Sequence, residues 1–463
     1  MSIPPVLAEA VSSRNRTAKS EKQKPIQPSN VLETIEQHVL LDGFKIVVDL
    51  DRSRGSYLHN AVDNRRLIDL YGFFGSMPVG YNHPHFAEPA VLKELARAAS
   101  IKVANSDVYS QGYADFVETF ARVAGLPPLD RYLFIEGGAL AIENTLKAAM
   151  DWKVRKNIAA GHCERGTEIL HFRHAFHGRS GYTMSLTNTD PRKTDLFAKF
   201  KWPRVTNPYI DFSLPEGERE ADVIAREKKS EQEIRQFIEE RGIDIAAIII
   251  EPIQGEGGDN HFRGEFLQKL REICDENEML LIFDEVQTGL GTTGRTWCSQ
   301  HFGVKPDLMA FGKKVQVCGV MAGPRLDEVP DNAFRLPSRL NSTWGGNYAD
   351  MIRSTHFLRI IEKENLVENA RVVGEHFVKA LEQLQSEQPI ITAVRGRGLF
   401  IAFDLPDPKT RDEFWKGLFD RGLLVLKSGE RAIRFRPALD ITTEVIDEAI
   451  GLLREQCQQK SVD

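Results

Sequence analysis

Residues 310–319 read "AFGKKVQVCG", so that Lys313 and Lys314 follow a glycine closing the apolar run "PDLMAFG". That run predicts a buried strand, and an ammonium at its end needs a partner or a purpose. Side chains along a strand alternate between faces, so only one of the two lysines is expected to face a ligand. Lys313, directly after Gly312, is the better placed, and Lys314 is expected as a supporting or surface cation. A second apolar run, "LLIF", ends in Asp284 and Glu285. An aspartate there must be hydrated or paired; turn chemistry would satisfy it, and so would a cation such as a protonated pyridine nitrogen. A third run, "RYLFI", leads into "EGGALAIENTLKAA", which puts Gly137, Gly138 and Ala139 where a strand gives way to a helix. A helix start offers free N–H groups and a positive dipole end to an anion, although a plain tight turn has the same glycines.

A lysine for a Schiff base, an acid for a ring nitrogen and a cradle for a phosphate are the three needs of pyridoxal 5'-phosphate. "GLGTTG" at 289–294 fits G-x-G-x-x-G, yet no helical pattern opens from it, so a dinucleotide is not expected.

The elements that must position these residues alternate from about residue 114. "ADFVETFARVA" reads as a helix, "RYLFI" as a strand, and "GALAIENTLKAAMDWKVRK" as a helix with apolar residues at 3–4 spacing. "EILHF" follows as a strand, then a solvated helix from Glu216 to the glycine at 242, then "DIAAIII", "EFLQKLREICDEN", "MLLIFDE" and "DLMAFG". Apolar runs without strict alternation predict a mostly parallel sheet covered on both faces, an α/β fold whose ligands lie beyond the carboxyl ends of the strands. Short strands and turns are expected at 44–84, and a smaller α+β lobe from about residue 347. The expected division is an arm at 1–30, a segment at 31–75 joining the small domain, a large domain at 76–346 and a C-terminal small domain at 347–463.

Composition excludes several classes. The chain has 463 residues, a net charge of −6 and no long basic block, so nucleic acid is not an expected partner. No apolar run approaches the roughly 18 residues of a membrane span. The five cysteines lack metal-ligand spacing, which predicts reduced thiols in a cytoplasmic protein and no metal site. The first 30 residues are polar and proline-bearing with five basic side chains after position 13. They read as a solvated, disordered arm, without the apolar core of a secretory signal.

The ordered set "FHG" (176–178), "EPIQGEGG" (251–258), "DEVQTG" (284–289), "FGK" (311–313), "STWGGN" (342–347) and "IRFRPAL" (433–439) resembles the class III aminotransferases of fold type I, over about residues 45–455. "FHGRSGYTMSLTNTD", "FGKKVQVCGVMAG" and "RLNSTWGGN" are similar to the lysine-specific branch. Where the wider family has a hydroxyl in its phosphate turn, this chain has Gly138-Ala139, a change the lysine branch shares. The resemblance implies that Lys313 forms the Schiff base and carries the proton, Asp284 pairs with the ring nitrogen and Gln287 contacts the ring hydroxyl. It implies Phe176 and Val286 on the two faces of the ring, and phosphate bound by Gly138 and Ala139 with Thr343 from a partner subunit, hence a homodimer. Arg179 and Arg434 are implied as carboxylate clamps, Glu256 as a switch covering Arg434, and Asn341 as a further substrate contact. The implied substrates are L-lysine and 2-oxoglutarate, with L-glutamate as a product; ornithine δ- and 4-aminobutyrate aminotransferases share the mechanism. Arg436 and the arginines of "RGRG" (395–398) are expected as structural ion-pair partners, and His177 as a hydrogen-bonded core histidine.

Overall fold

The computed structural model describes residues 25–459. Most of the expected arm, residues 1–24, lies outside the described residues. Its end departs from expectation: Pro28–Asn30 form a 3-10 turn leading into the helix Val31–Glu36. Pro28 stands in the first turn, where its fixed φ and missing N–H cost nothing.

A seven-stranded sheet forms the centre, in the spatial order Arg131–Ile135, Cys318–Ala322, Leu308–Phe311, Leu280–Asp284, Ile245–Ile250, Glu168–Phe172 and Arg204–Val205. Cys318–Ala322 runs antiparallel to both neighbours and the remaining pairs are parallel. Every residue of Ile245–Ile250, Leu280–Asp284 and Leu308–Phe311 is buried, as strands covered on both faces require. Burial of each Ile or Leu in such a strand contributes about 1.5–3 kcal/mol. The helix Gly138–Ala159 covers one face and is itself buried from Ala141 through Lys153 on most of its circumference. Gly264–Glu276 lies against the other face, with Phe266, Leu267, Leu270 and Ile273 inward.

Two smaller sheets carry the remaining strands. Thr392–Arg397, Phe400–Asp404, Ala432–Phe435 and Leu426–Ser428 form an antiparallel sheet against the helices Leu366–Glu387 and Thr443–Gln459. Tyr57–His59 and Arg66–Asp69 pair with Leu423–Leu424, which ties the early segment to the C-terminal lobe. The parallel strands all end on one side of the central sheet, so residues just past 135, 172, 250, 284 and 311 meet there. Arg434, in the strand Ala432–Phe435, and Arg436, just past it, both reach Gln287 at that edge.

Candidate active site

The lysine pair is placed by a turn rather than by a strand. The Leu308–Phe311 strand stops, Gly312 is extended, and Lys313–Val315 form a 3-10 turn with Lys313 at φ 46. The expectation of strand alternation is therefore corrected, since the side chains diverge through this turn. Lys313 Nζ donates to the Phe74 carbonyl at 2.9 Å. Burial, followed by the charges of Arg434 and Arg436, lowers its amine to about 8, with Glu256 and Asp284 opposing. A lysine nearer neutrality is better suited to attack a carbonyl. Lys314 is neither exposed nor peripheral: it is 1% exposed and donates to Met77 O at 2.7 Å and Pro437 O at 2.9 Å. Burial lowers it to about 7. Two main-chain carbonyls replace its water, which is why the expected surface role is wrong.

Asp284 ends its strand buried. Its Oδ1 accepts from Val286 N at 3.0 Å and its Oδ2 meets His177 Nδ1 at 2.8 Å. His177 is thus a hydrogen-bonded core histidine, and its Nε2 is buried without a partner among the described residues. Glu251, past the end of Ile245–Ile250, was not singled out from sequence, although it opens "EPIQGEGG". It accepts from Phe176 N (2.9 Å) and Gly255 N (3.0 Å), and so holds the Phe176 segment and the Glu256 loop together. Burial first, and then Asp284, pushes its carboxyl up to about 7.

The helix at Gly138 starts on Gly137, at φ 97, with no side chain capping its first N–H groups. A Cβ on Gly138 would lie 3.1 Å from Val286 Cγ1, so a side chain there would crowd the space between the helix end and Val286. Phe176, partly buried, follows the strand Glu168–Phe172 and is held there by Glu251. Free N–H groups, a buried aspartate, an amine shifted toward neutrality and a glycine cradle fit a ring that carries a phosphate and a basic nitrogen.

On the other flank, Arg434 donates from Nη2 to Glu256 Oε2 at 2.7 Å and from Nη1 to Gln287 Oε1 at 3.2 Å; its Nε is buried without a partner among the described residues. Glu256 Oε1 also pairs with Lys193, a residue no motif marked. Burial alone would raise the Glu256 carboxyl, but Arg434 and Lys193 together hold it below its usual value. Arg436 shares Gln287 Oε1 through its Nε at 3.1 Å, pairs with buried Asp259 and lies 3.3 Å from the Phe400 ring centroid. Arg395 pairs with Asp404 and donates to Gly258 O and Asp259 O. Glu256, Arg179 and Lys193 line a cavity of about 1160 Å³. The "GEGG" setting of Glu256 suggests a loop free to move, and packing gives one of its glycines a further reason. A Cβ on Gly257 would sit 1.9 Å from His174 O, so close packing demands the glycine there.

Asn341 and Thr343 are not brought to this edge. Both are exposed, on a loop held by Asn105 N to Trp344 O (3.1 Å) and Ser106 Oγ to Thr343 O (3.0 Å).

A family model for class III aminotransferases matches residues 42–456. The chain is a class III aminotransferase. L-lysine-epsilon aminotransferase of Mycobacterium tuberculosis is 50% identical to it over 434 residues, 93% of this chain and 96% of that one. The enzyme of the same name from Streptomyces clavuligerus is 48% identical over 432 residues, covering 92% and 94%. Among solved structures, a lysine aminotransferase from M. tuberculosis in the internal aldimine form superposes with a TM-score of 0.91 at 50% identity, over 94% of this chain and 100% of that one. The aminotransferase therefore has the fold type I architecture and uses pyridoxal 5'-phosphate, which its strand-end residues fit. No helix among the described residues is long and apolar enough to cross a membrane.

Proposed function

We propose that this aminotransferase is an L-lysine 6-transaminase, moving the ε-amino group of L-lysine to 2-oxoglutarate to give the 6-semialdehyde and L-glutamate. One observation carries the reading: Arg434 faces the strand ends with its charge neutralised by Glu256 and one buried donor left over. A bare arginine beside the reacting carbon would draw α-carboxylates, and lysine would then present its α-amine. A covered arginine lets the uncharged ε carbon approach, and a carboxylate that can swing aside readmits the keto acid. The names of the two relatives at 48–50% identity support lysine as donor.

Pyridoxal phosphate, when bound, supplies the carbonyl and the electron sink. Lys313 is the covalent nucleophile and, once free, the base that moves the proton at the ε carbon. Asp284, oriented by His177, keeps a positive charge on the ring nitrogen. Gln287 has its oxygen taken by two arginines, which leaves its Nε2 to donate to the ring hydroxyl. Gly138 and Ala139 N–H groups hold the phosphate, Phe176 and Val286 flank the ring, and Arg179 receives the carboxylate remote from the reacting carbon.

Thr343 and Asn341 enter a site only from a second copy, so the proposed enzyme is a homodimer. Exposed Ile101, Val108, Tyr109, Leu140 and Trp344, spread over the same loops and the helix start, support a covered face. Residues 31–75 are assigned to the small domain with 347–463, through the pairing of Arg66–Asp69 with Leu423–Leu424, and 76–346 to the large domain. The five free cysteines support a cytoplasmic enzyme.

The test is an amino-donor screen with 2-oxoglutarate that measures semialdehyde and glutamate together. L-lysine should give the highest kcat/KM. A higher value for ornithine or 4-aminobutyrate would overturn the assignment.

A further inference from the structure

Glu256 is held from two sides by elements far apart in the chain. Arg434 comes from the C-terminal sheet, whereas Lys193 comes from the 3-10 turn Pro191–Lys193, capped by Asp190 accepting from Arg192 N. The Lys193 ammonium also lies 5.6 Å from the Phe176 ring centroid, so it sits at the mouth of the site and not on a remote surface. Each oxygen of the Glu256 carboxylate has its own cation: Oε2 takes Arg434 and Oε1 takes Lys193. Both Glu256 and Lys193 are about a quarter exposed, whereas the Arg434 side chain is 3% exposed.

Uncovering Arg434 means moving a carboxylate into a cavity of mixed charge, lined by Asp190, Asp412 and Glu430 but also by Arg179, Arg192 and Lys193. Of the cations there, Lys193 is the one already bonded to the Glu256 carboxylate, so the carboxylate can leave Arg434 without losing every counter-ion. We propose that Lys193 is a positioning residue that retains the Glu256 carboxylate as it parts from Arg434, and so sets how readily the pocket admits a carboxylate beside the reacting carbon. The inference rests on Glu256 being the removable cover of Arg434. Its sign is definite. Lys193 and Arg434 share the charge of one carboxylate through different oxygens, so loss of Lys193 leaves Arg434 as its sole cation, strengthens the cover and disfavours the keto acid.

Lys193→Met keeps the apolar stem over Phe176 and removes the charge. In the holoenzyme, calorimetric titration with glutarate, an unreactive five-carbon dicarboxylate, should show a dissociation constant raised about fivefold. In single-turnover kinetics the ratio of kcat/KM for 2-oxoglutarate to that for L-lysine should fall by a similar factor, and Lys193→Arg should restore both. In a Glu256→Ala background, Lys193→Met should not weaken glutarate further. Weakening that persists in that background would make Lys193 a direct carboxylate ligand and overturn the proposal. Equal losses for both substrates, without rescue by arginine, would reduce Lys193 to a structural part and overturn it too. A Glu256→Ala enzyme with unaltered donor preference would remove the cover itself, and this inference with it. If that preference does shift while Lys193→Met leaves glutarate binding as it was, only the role of Lys193 falls.

Discussion

Two neighbouring pairs of cations meet at the strand ends, and within each pair one member is caged while the other is left open. Lys314 is enclosed by two main-chain carbonyls, and Arg436 by Asp259, Gln287, Phe435 O and the Phe400 ring. Among the described residues Lys313, by contrast, has a single carbonyl, and Arg434 has a buried Nε without a partner and a counter-ion a quarter exposed to solvent. All four have lost much of their water, so all four need replacement partners. The caged members receive them from the protein, which makes them part of the fold. The open members are completed only by something that arrives, which marks them as working residues. Burial alone does not separate the two kinds, since Arg434 is 2% and Arg436 0% exposed; the count of satisfied donors does.

The largest effect should come from the open lysine. Lys313→Ala should lower transamination by roughly four orders of magnitude or more, the scale felt when a covalent nucleophile is lost. The absorbance of bound cofactor near the visible edge should change with it. Lys314→Met should instead lower the melting temperature and keep that absorbance, because it leaves Met77 O and Pro437 O without their donor. A Lys314 variant that loses the absorbance while the Lys313 variant keeps it would invert the distinction.

The caged arginine comes next. Arg436→Met strands a carboxylate, Asp259, that is fully buried and otherwise bonded to Ser428 Oγ at 2.8 Å. Breaking a buried pair from one side costs about 3–5 kcal/mol. Equilibrium unfolding should show that loss, and replacing Asp259 by leucine in the same chain should recover part of it. A variant as stable as the parent would mean that Asp259 protonates or rehydrates at little cost.

How far these distinctions could be read in the residues alone depends on the distance over which each is set. Lys313, Asp284 and Gly138 are legible because each directly follows an apolar run, and in a parallel sheet those runs must end together. The cage of Lys314 is not, for its carbonyls lie 237 and 123 residues away in the chain. The strand Cys318–Ala322 escapes for another reason: it follows the lysine turn at once, and as the antiparallel member it breaks the βα alternation that exposes its neighbours. Lys193 stands on a short turn between loops, with no period and no motif to mark it. Glu251 opens "EPIQGEGG", but nothing in sequence distinguishes an acid that ties two loops together from one that turns to solvent. The glycines beside Glu256 pose the same difficulty, because a glycine that permits motion and one demanded by close packing are the same letter.

Arg434→Met tests the open arginine. The Glu256 carboxylate it abandons keeps Lys193, so stability should fall far less than for Arg436→Met. Activity with 2-oxoglutarate should fall about a hundredfold, near 3 kcal/mol, as expected when a bidentate charged contact to substrate is removed. Half-reaction kinetics would show whether the loss is concentrated on the keto acid. A loss of stability matching that of Arg436→Met, with little change in activity, would erase the contrast between the two arginines.

The smallest effect is expected at Glu256, where the protein supplies the partner itself and can withdraw it. With L-lysine the reacting ε carbon carries no carboxylate, and Arg434 must be silent; with 2-oxoglutarate a carboxylate stands next to the reacting carbon, and Arg434 must be available. With Gly255 N tied to Glu251 and Gly257 packed against His174 O, the backbone is anchored on both sides of Glu256. Rotation of the Glu256 side chain is the motion expected, and its partial exposure leaves room for that. Glu256→Ala then gives an arginine that is permanently bare, still held by Gln287. Losing a charge-assisted contact is worth about 1–3 kcal/mol, and solvent at a partly exposed site puts the expected effect near the lower end, about a tenfold change in preference. The L-lysine half-reaction should slow, while α-amino donors such as L-glutamate should gain, because the bare cation now draws their α-carboxylate at every encounter. Single-turnover measurement of each half-reaction decides it. Equal slowing of both, with no gain for α-amino donors, would mean that Glu256 only braces Arg434, and the open arginine would then be as fixed as its caged neighbour.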